Sequence, residues 1–182
     1  MTLRQFEAFE RDHQDERWEL IEGTPAMTPS PTNSHQDLSF EICAYLRSVL
    51  TSKAGWFVVP DVSLRLSTLM SEVRPDVAAY LQKDLKDRST FPIRAVPKLV
   101  VECVSPGNMQ ADMVDKRRLY HKAGIPEYWI VDPKTGAITL LVHRKAEYEQ
   151  LSVDPKGFIE SPLRKQKLRI VVEPWAFRIV QP

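Results

Sequence analysis

The chain has 182 residues, enough for one domain with a sizeable core, whereas two domains would each be small. Its 25 Lys and Arg against 24 Asp and Glu leave a net charge of +1, which excludes a chain-wide basic footprint for nucleic acid. No apolar run is long enough to cross a bilayer, and the acidic stretch from Met1 to Asp15 lacks the basic-then-apolar pattern of a secretory leader, so a cytoplasmic protein is expected.

Residues 1–15 fit a short polar helix with Leu3, Phe6 and Phe9 on one side. Arg17 to Glu22 reads as a strand. Gly23 and Pro25 break it, and Ala26-Met27 runs back as its hairpin partner. A helix follows the proline-rich loop at 29–32, capped by Asn33 or Ser34. Its apolar face is Leu38, Ile42, Tyr45, Leu46, Val49 and Leu50.

Val58 to Leu66 alternates and predicts a strand with one wet face, carrying Asp61, Ser63 and Arg65. Arg74 to Tyr80 is a second strand, opened by Pro75. Residues 82–95 read as a charged surface loop. Lys98 to Val104 has no polar face and belongs in the middle of the sheet. A loop with Pro106 and Gly107 leads to a helix over Asp112 to Lys122, ended by Gly124 and Pro126. Glu127 to Asp132 is a fourth core strand. Ile138 to Val142 and Tyr148 to Val153 form a hairpin, and a last strand lies near Leu168 to Val172. The strand–helix–strand passage at 98–131 implies a crossover and a parallel pair.

Charge is unevenly spread. Residues 1–22 carry three Arg against seven acids; residues 81–122 carry nine Lys and Arg against five acids, and residues 156–178 six against two, so a basic side and an acidic end are one reading and solvated surface the other. Cys43 and Cys103 lie in apolar segments without zinc spacing and read as buried thiols. A glycine-rich phosphate loop, a G-x-S-x-G elbow and an H-E-x-x-H helix are all missing from the sequence. Tyr128 and Trp129 read as core or interface aromatics.

Two core strands each carry one acid among apolar neighbours: Asp76 and Glu102. A buried carboxylate needs a cation, a metal or a hydrogen-bond network. For one such acid a structural ion pair, for instance with Arg74, would suffice. Two on neighbouring strands point toward a divalent cation held by hard oxygen ligands. Met113, Lys116, Tyr120 and Ala123 share a helix face that should pack on the sheet and aim Lys116 inward. The plain alternative is a surface pair between Asp112 and Lys116.

The ordered set Trp18 to Gly23, His35, Arg74-Pro75-Asp76-Val77, Leu99 to Pro106, Asp112 to Tyr120 and Ala123 to Pro133 resembles the Uma-type restriction endonuclease family of the PD-(D/E)XK nuclease superfamily. The resemblance runs from about Trp18 to Val142 and adds little for the C-terminal third. It implies an α/β restriction-endonuclease-like fold: a mixed β-sheet flanked by helices, with extra hairpins at both ends. One nuclease-like domain then spans 1–182, with a core at about 17–142 and a β-rich extension over 143–182.

The superfamily lysine usually follows its acid by two residues, where this chain has Val104. The resemblance implies that Lys116 takes over that role from the following helix. It further implies phosphodiester hydrolysis, with DNA as the expected partner. Asp76 and Glu102 would bind Mg²⁺ or Mn²⁺, with the Cys103 carbonyl as a further ligand. Glu19 matches a family acid and would complete the metal shell, or be merely an exposed strand acid; Glu22 falls on the opposite strand face. His35 would be a base or substrate contact, or a helix-capping residue whose imidazole the helix N-terminus keeps neutral. Arg117 and Arg118, next to Lys116 on the helix, read from their spacing as its solvated neighbours, free to contact phosphates. The C-terminal hairpins would suit a homodimer surface. A nuclease-fold binding or assembly protein without turnover is the competing reading, and another metal-dependent hydrolase is a third.

Overall fold

The computed structural model describes residues 1–87, 89, 91–104 and 109–182, with backbone alone for 109–112. The expected loop at Pro106 and Gly107 lies outside the described residues, as does the Asp112 side chain. Three α-helices are present: α1 (Leu3–Asp12), α2 (Asn33–Val49) and α3 (Met109–Lys122).

The central sheet has six strands: β3 (Trp56–Pro60), β6 (Val77–Leu81), β7 (Leu99–Cys103), β8 (Glu127–Val131), β9 (Ile138–His143) and β10 (Tyr148–Gln150). Their order is β10-β9-β8-β7-β6-β3. β7 and β8 run parallel and are joined by α3, while the other neighbours are antiparallel. This is the expected crossover, and the unbroken apolar run of β7 lies mid-sheet, buried along its whole length.

A four-stranded sheet has the order β2-β1-β5-β4, from β1 (Trp18–Ile21), β2 (Thr24–Met27), β4 (Leu64–Leu66) and β5 (Ser71–Val73). Near the C-terminus β11 (Ile159–Ser161), β12 (Gln166–Glu173) and β13 (Ala176–Val180) form a third sheet.

Strand periodicity sorts the core into two layers. Leu99, Val101 and Cys103 point to the face covered by α2 and the C-terminal sheet, where Leu38, Ile42, Leu46, Ile159, Leu168 and Phe177 complete the packing. Val100 points the other way, into a cluster with Leu64, Val73, Leu119, Tyr120 and Tyr128 under α3 and the four-stranded sheet. Residues beyond 143 thus supply part of the first layer. Gly136 (φ +71) sits against β12, where an added Cβ would meet the Ile170 carbonyl at 2.8 Å.

Several sequence expectations are corrected. The single strand over Val58 to Leu66 is two strands in different sheets, separated by Asp61 at φ 42. Its expected wet residues Ser63 and Arg65 are buried. They face Glu72 on β5: the Ser63 hydroxyl donates to it, and Arg65 Nε donates to Glu72 Oε2 at 2.7 Å. Arg65 Nη1 also reaches Glu7 of α1 at 2.5 Å. Alternation marks two faces, but here the polar face is covered by another polar element.

The strand expected from Arg74 begins only at Val77, as β6; Arg74, Pro75 and Asp76 form the link to it from β5. α2 is capped by Thr32, whose Oγ1 accepts from the His35 N–H, so its cap falls earlier than Asn33 or Ser34. The last strand is the middle member of a three-stranded sheet.

Candidate active site

The antiparallel register of β6 and β7 pairs Val77 with Val101. One step further along both chains, Asp76 stands across from Glu102 at the end of the strand pair. Asp76 Oδ2 accepts the Cys103 N–H at 2.6 Å and lies 3.1 Å from His35 Nε2, near the start of α2. Arg74, the suggested ion partner for Asp76, instead lies 3.6 Å from Glu10.

Glu102 points toward α3. The inward face read from spacing is realised: Lys116 and Tyr120 are buried, with Met113 and Ala123 half-buried beside them. Lys116 Nζ lies 3.2 Å from Glu102 Oε1 and 3.0 Å from Glu19 Oε2. The Tyr120 hydroxyl donates to that same Glu102 Oε1 at 2.6 Å. Glu19 Oε1 accepts the Arg74 backbone N–H at 2.7 Å. Glu19, Glu102 and Lys116 are only 5%, 6% and 8% exposed. Glu19 is therefore a member of the buried cluster and not an exposed strand acid.

Electrostatics follow from three acids gathered around one lysine. The Glu102 carboxyl is raised to about 7: burial is the largest cause, Lys116 works against it, Asp76 and Glu19 add to it, and the Tyr120 hydrogen bond lowers it. Burial alone would lower Lys116, yet Glu102, Glu19 and Asp76 outweigh that and hold its ammonium well above the ordinary range. The His35 imidazole is raised by its hydrogen bond to Asp76, against the opposing effect of burial. The carboxylate beside it favours the charged imidazole, where the helix N-terminus favours the neutral one. His35 Nδ1 is buried without a hydrogen-bond partner among the described residues.

Glu19, His35, Asp76, Glu102, Cys103 and Lys116 line a cleft of about 680 Å³. One wall is the stripe of α2 that includes His35, Ser39, Phe40 and Arg47; the other is the β1–β2 hairpin with Arg17, Trp18 and Thr28.

Among the described residues no three His, Cys, Asp or Glu side chains form a metal cage by themselves. The donor chemistry nonetheless suits a hard cation that keeps most of its ligands as water or phosphate oxygen, as Mg²⁺ does. Glu19 and Glu102 share Lys116, while Asp76 has His35 as its partner, so carboxylate oxygen is the main donor type gathered here. Among the described residues, Glu102 Oε2 and Asp76 Oδ1 accept no hydrogen bond. Asp76, Glu102 and the Cys103 carbonyl are the atoms that could hold such an ion.

A family model, Uma2, described as "Putative restriction endonuclease", matches residues 3–172. The chain belongs to this family. No curated protein matches it in sequence. Among solved structures it is similar to "a putative nuclease belonging to DUF820 from Anabaena variabilis", with a TM-score of 0.66 and 19% identity over 83% of this chain and 84% of that one. At that identity the likeness concerns the fold, a mixed α/β nuclease-type architecture.

In this Uma2 chain the strand position two after Glu102 is the half-buried Val104, and the buried lysine comes from α3. The structure brings together Asp76, Glu102, Cys103, Lys116, Glu19 and His35. It does not bring Arg117 or Arg118 to the cleft. Arg117 donates to the Tyr148 carbonyl at 3.0 Å, and Arg118 pairs with Glu22 at 2.7 Å. Helical spacing explains this: residues directly after Lys116 must point elsewhere when Lys116 points inward.

Cleft residues that the sequence reading passed over are Arg17, Arg47 and Phe40. For Phe40 a signal existed, since it is a large apolar residue outside the 38–42–46 stripe of α2. For the arginines there was none, because their placement depends on how the hairpin and α2 face each other.

Proposed function

We propose that this protein hydrolyses phosphodiester bonds of nucleic acid, DNA foremost, with Mg²⁺ or Mn²⁺ held by Asp76, Glu102 and the Cys103 carbonyl. The reading is carried by one observation: Lys116, buried on α3, is fixed between Glu19 and Glu102 at the floor of a cleft that Asp76 also lines. A bound divalent ion lowers the pKa of a coordinated water and neutralises phosphate charge.

The chain's own residues divide the remaining work. Lys116 supplies a fixed positive charge where negative charge develops on the phosphate, and its low exposure strengthens that effect. Glu19 holds the ammonium from the side opposite Glu102. Tyr120 and Lys116 both donate to Glu102 Oε1 and so fix the carboxylate's orientation. His35 fixes Asp76 through its Oδ2, together with the Cys103 N–H.

Cleavage of supercoiled plasmid and of single-stranded circular DNA, with and without Mg²⁺ or Mn²⁺, tests the proposal. Wild type should cut at least one of them with the ion present and stop on chelation, and Asp76→Ala should be inactive. Activity unchanged in Asp76→Ala would overturn the site assignment. Binding without cleavage under any ion would favour a nuclease fold kept for binding alone.

A further inference from the structure

Resting on the nuclease reading, we infer that the cleft selects single-stranded nucleic acid, with a base stacked on Phe40 and the flanking phosphates met by Arg17 and Arg47. Phe40 is 68% exposed on α2, although the neighbouring apolar residues Leu38 and Ile42 are fully buried. What sets this ring apart from other exposed apolar residues is its place in the lining of the cleft, where its face is available for stacking. Base–aromatic stacking is a sequence-tolerant way of holding unpaired strands.

Two arginines share the cleft lining with that ring. Arg47 lies two turns along α2, anchored through Nε on the Val58 carbonyl at 3.1 Å, with its terminal nitrogens unpaired among the described residues. Arg17, on the opposite wall, is tied at 2.6 Å to Asp61, and both side chains are solvent-exposed enough for that pair to yield to a phosphate.

Depth argues against an intact duplex. Glu19, Glu102 and Lys116 are less than a tenth exposed, and Asp76 beside them is half-buried in the same cleft. A single strand can lower one phosphate to that floor while its bases spread onto the rim. A duplex would have to be opened first, which costs unstacking and unpairing energy. Besides Lys116, the cations lining the cleft are Arg17, Arg47 and Arg74, a small set beside the many phosphates that a duplex binder neutralises.

The test uses fluorescein-labelled oligonucleotides of about 12 units, within the site size of single-strand binders: single-stranded DNA, single-stranded RNA and duplex DNA. Anisotropy is read without divalent ion, and cleavage of the same probes with Mn²⁺. Single strands should bind at least tenfold tighter than duplex and be cut faster, with the DNA and RNA arms naming the sugar. Phe40→Ala should weaken single-strand binding roughly tenfold, and Phe40→Trp should restore it. The ring is exposed, so both variants should fold. Duplex bound and cut as well as single strands, or Phe40→Ala without effect, would overturn the inference while leaving the nuclease reading intact. If no probe were either bound or cut, both would fall.

Discussion

Lys116 and Tyr120, one turn apart on α3, donate to the same oxygen of Glu102. The lysine contributes charge, and the tyrosine contributes direction. Removing the hydroxyl alone therefore separates orientation from charge. Tyr120→Phe should keep the fold and lose about 1.5–3 kcal/mol of stability, the range for a hydrogen bond to a charged group. Under the proposed function, kcat should fall with KM little changed, which steady-state kinetics on an oligonucleotide substrate would show. An unchanged kcat would mean that Glu102 needs no second tether.

Lys116→Met should be harsher. It strands Glu19 and Glu102 as buried acids without their cation, a loss of about 3–5 kcal/mol. Adding Glu19→Gln should recover part of that loss, with a coupling of about 0.5–3 kcal/mol measurable by a double-mutant cycle in urea. Strict additivity would show that the 3.0 Å contact contributes nothing.

The arginines give a contrast between neighbours in sequence and neighbours in space. Arg118→Ala breaks exposed pairs to Glu22 and Asp115, worth about 0–1 kcal/mol, and should leave nucleic-acid affinity unchanged. Arg47→Ala should weaken binding across sequences and reduce the salt slope by about one. Titrations at several salt concentrations distinguish the two; a salt-slope change in Arg118→Ala would relocate the binding face.

Away from the cleft, Glu127 opens β8 and is buried where the C-terminal sheet meets the central one. Its Oε1 accepts from Trp129 Nε1 at 2.6 Å and its Oε2 from the Leu163 N–H at 3.0 Å. Burial raises its pKa above the ordinary 4.5, only partly offset by hydrogen bonds from Ser161, Trp129 and Leu163. The folded state thus binds this proton more tightly than the unfolded chain does. The associated stability is complete below pH 4.5 and is lost as pH rises through the raised value. Thermal midpoints of wild type minus Glu127→Gln should fall over that window and level off above it. A flat difference would contradict the assigned shift.

Much of this arrangement was legible from residue types and spacing alone. The two acids stood out because carboxylates in apolar strands need partners, and Lys116 because a face at three- and four-residue spacing fixes which residues of a helix turn inward. The parallel pair followed from strand–helix–strand order. Less legible was anything decided by a second layer. Ser63 and Arg65 look like a wet face until Glu72 and Glu7 cover them. Tyr120 could be placed on the inward face, but its bond to Glu102 depends on how far α3 sits from β7. The sheet of β11 to β13 was half-visible, because its strands alternate with charge and read as surface. Arg117 and Arg118 turn away from the cleft, as neighbours of an inward residue on a helix must, and the partners they find there, the Tyr148 carbonyl and Glu22, are far off in sequence.

α2 is locked along one stripe and free along another. Leu38, Ile42 and Leu46 are pinned in the core, while Gln36, Phe40, Ala44 and Arg47 line the cleft from exposed positions. Changes on the outer stripe should scarcely disturb folding, because surface substitutions usually cost within about 0.5 kcal/mol. Selection can therefore retune what enters the cleft one residue at a time, with the carboxylates and lysine beneath left untouched. A lineage built on this helix can change its target without first having to regain a stable fold.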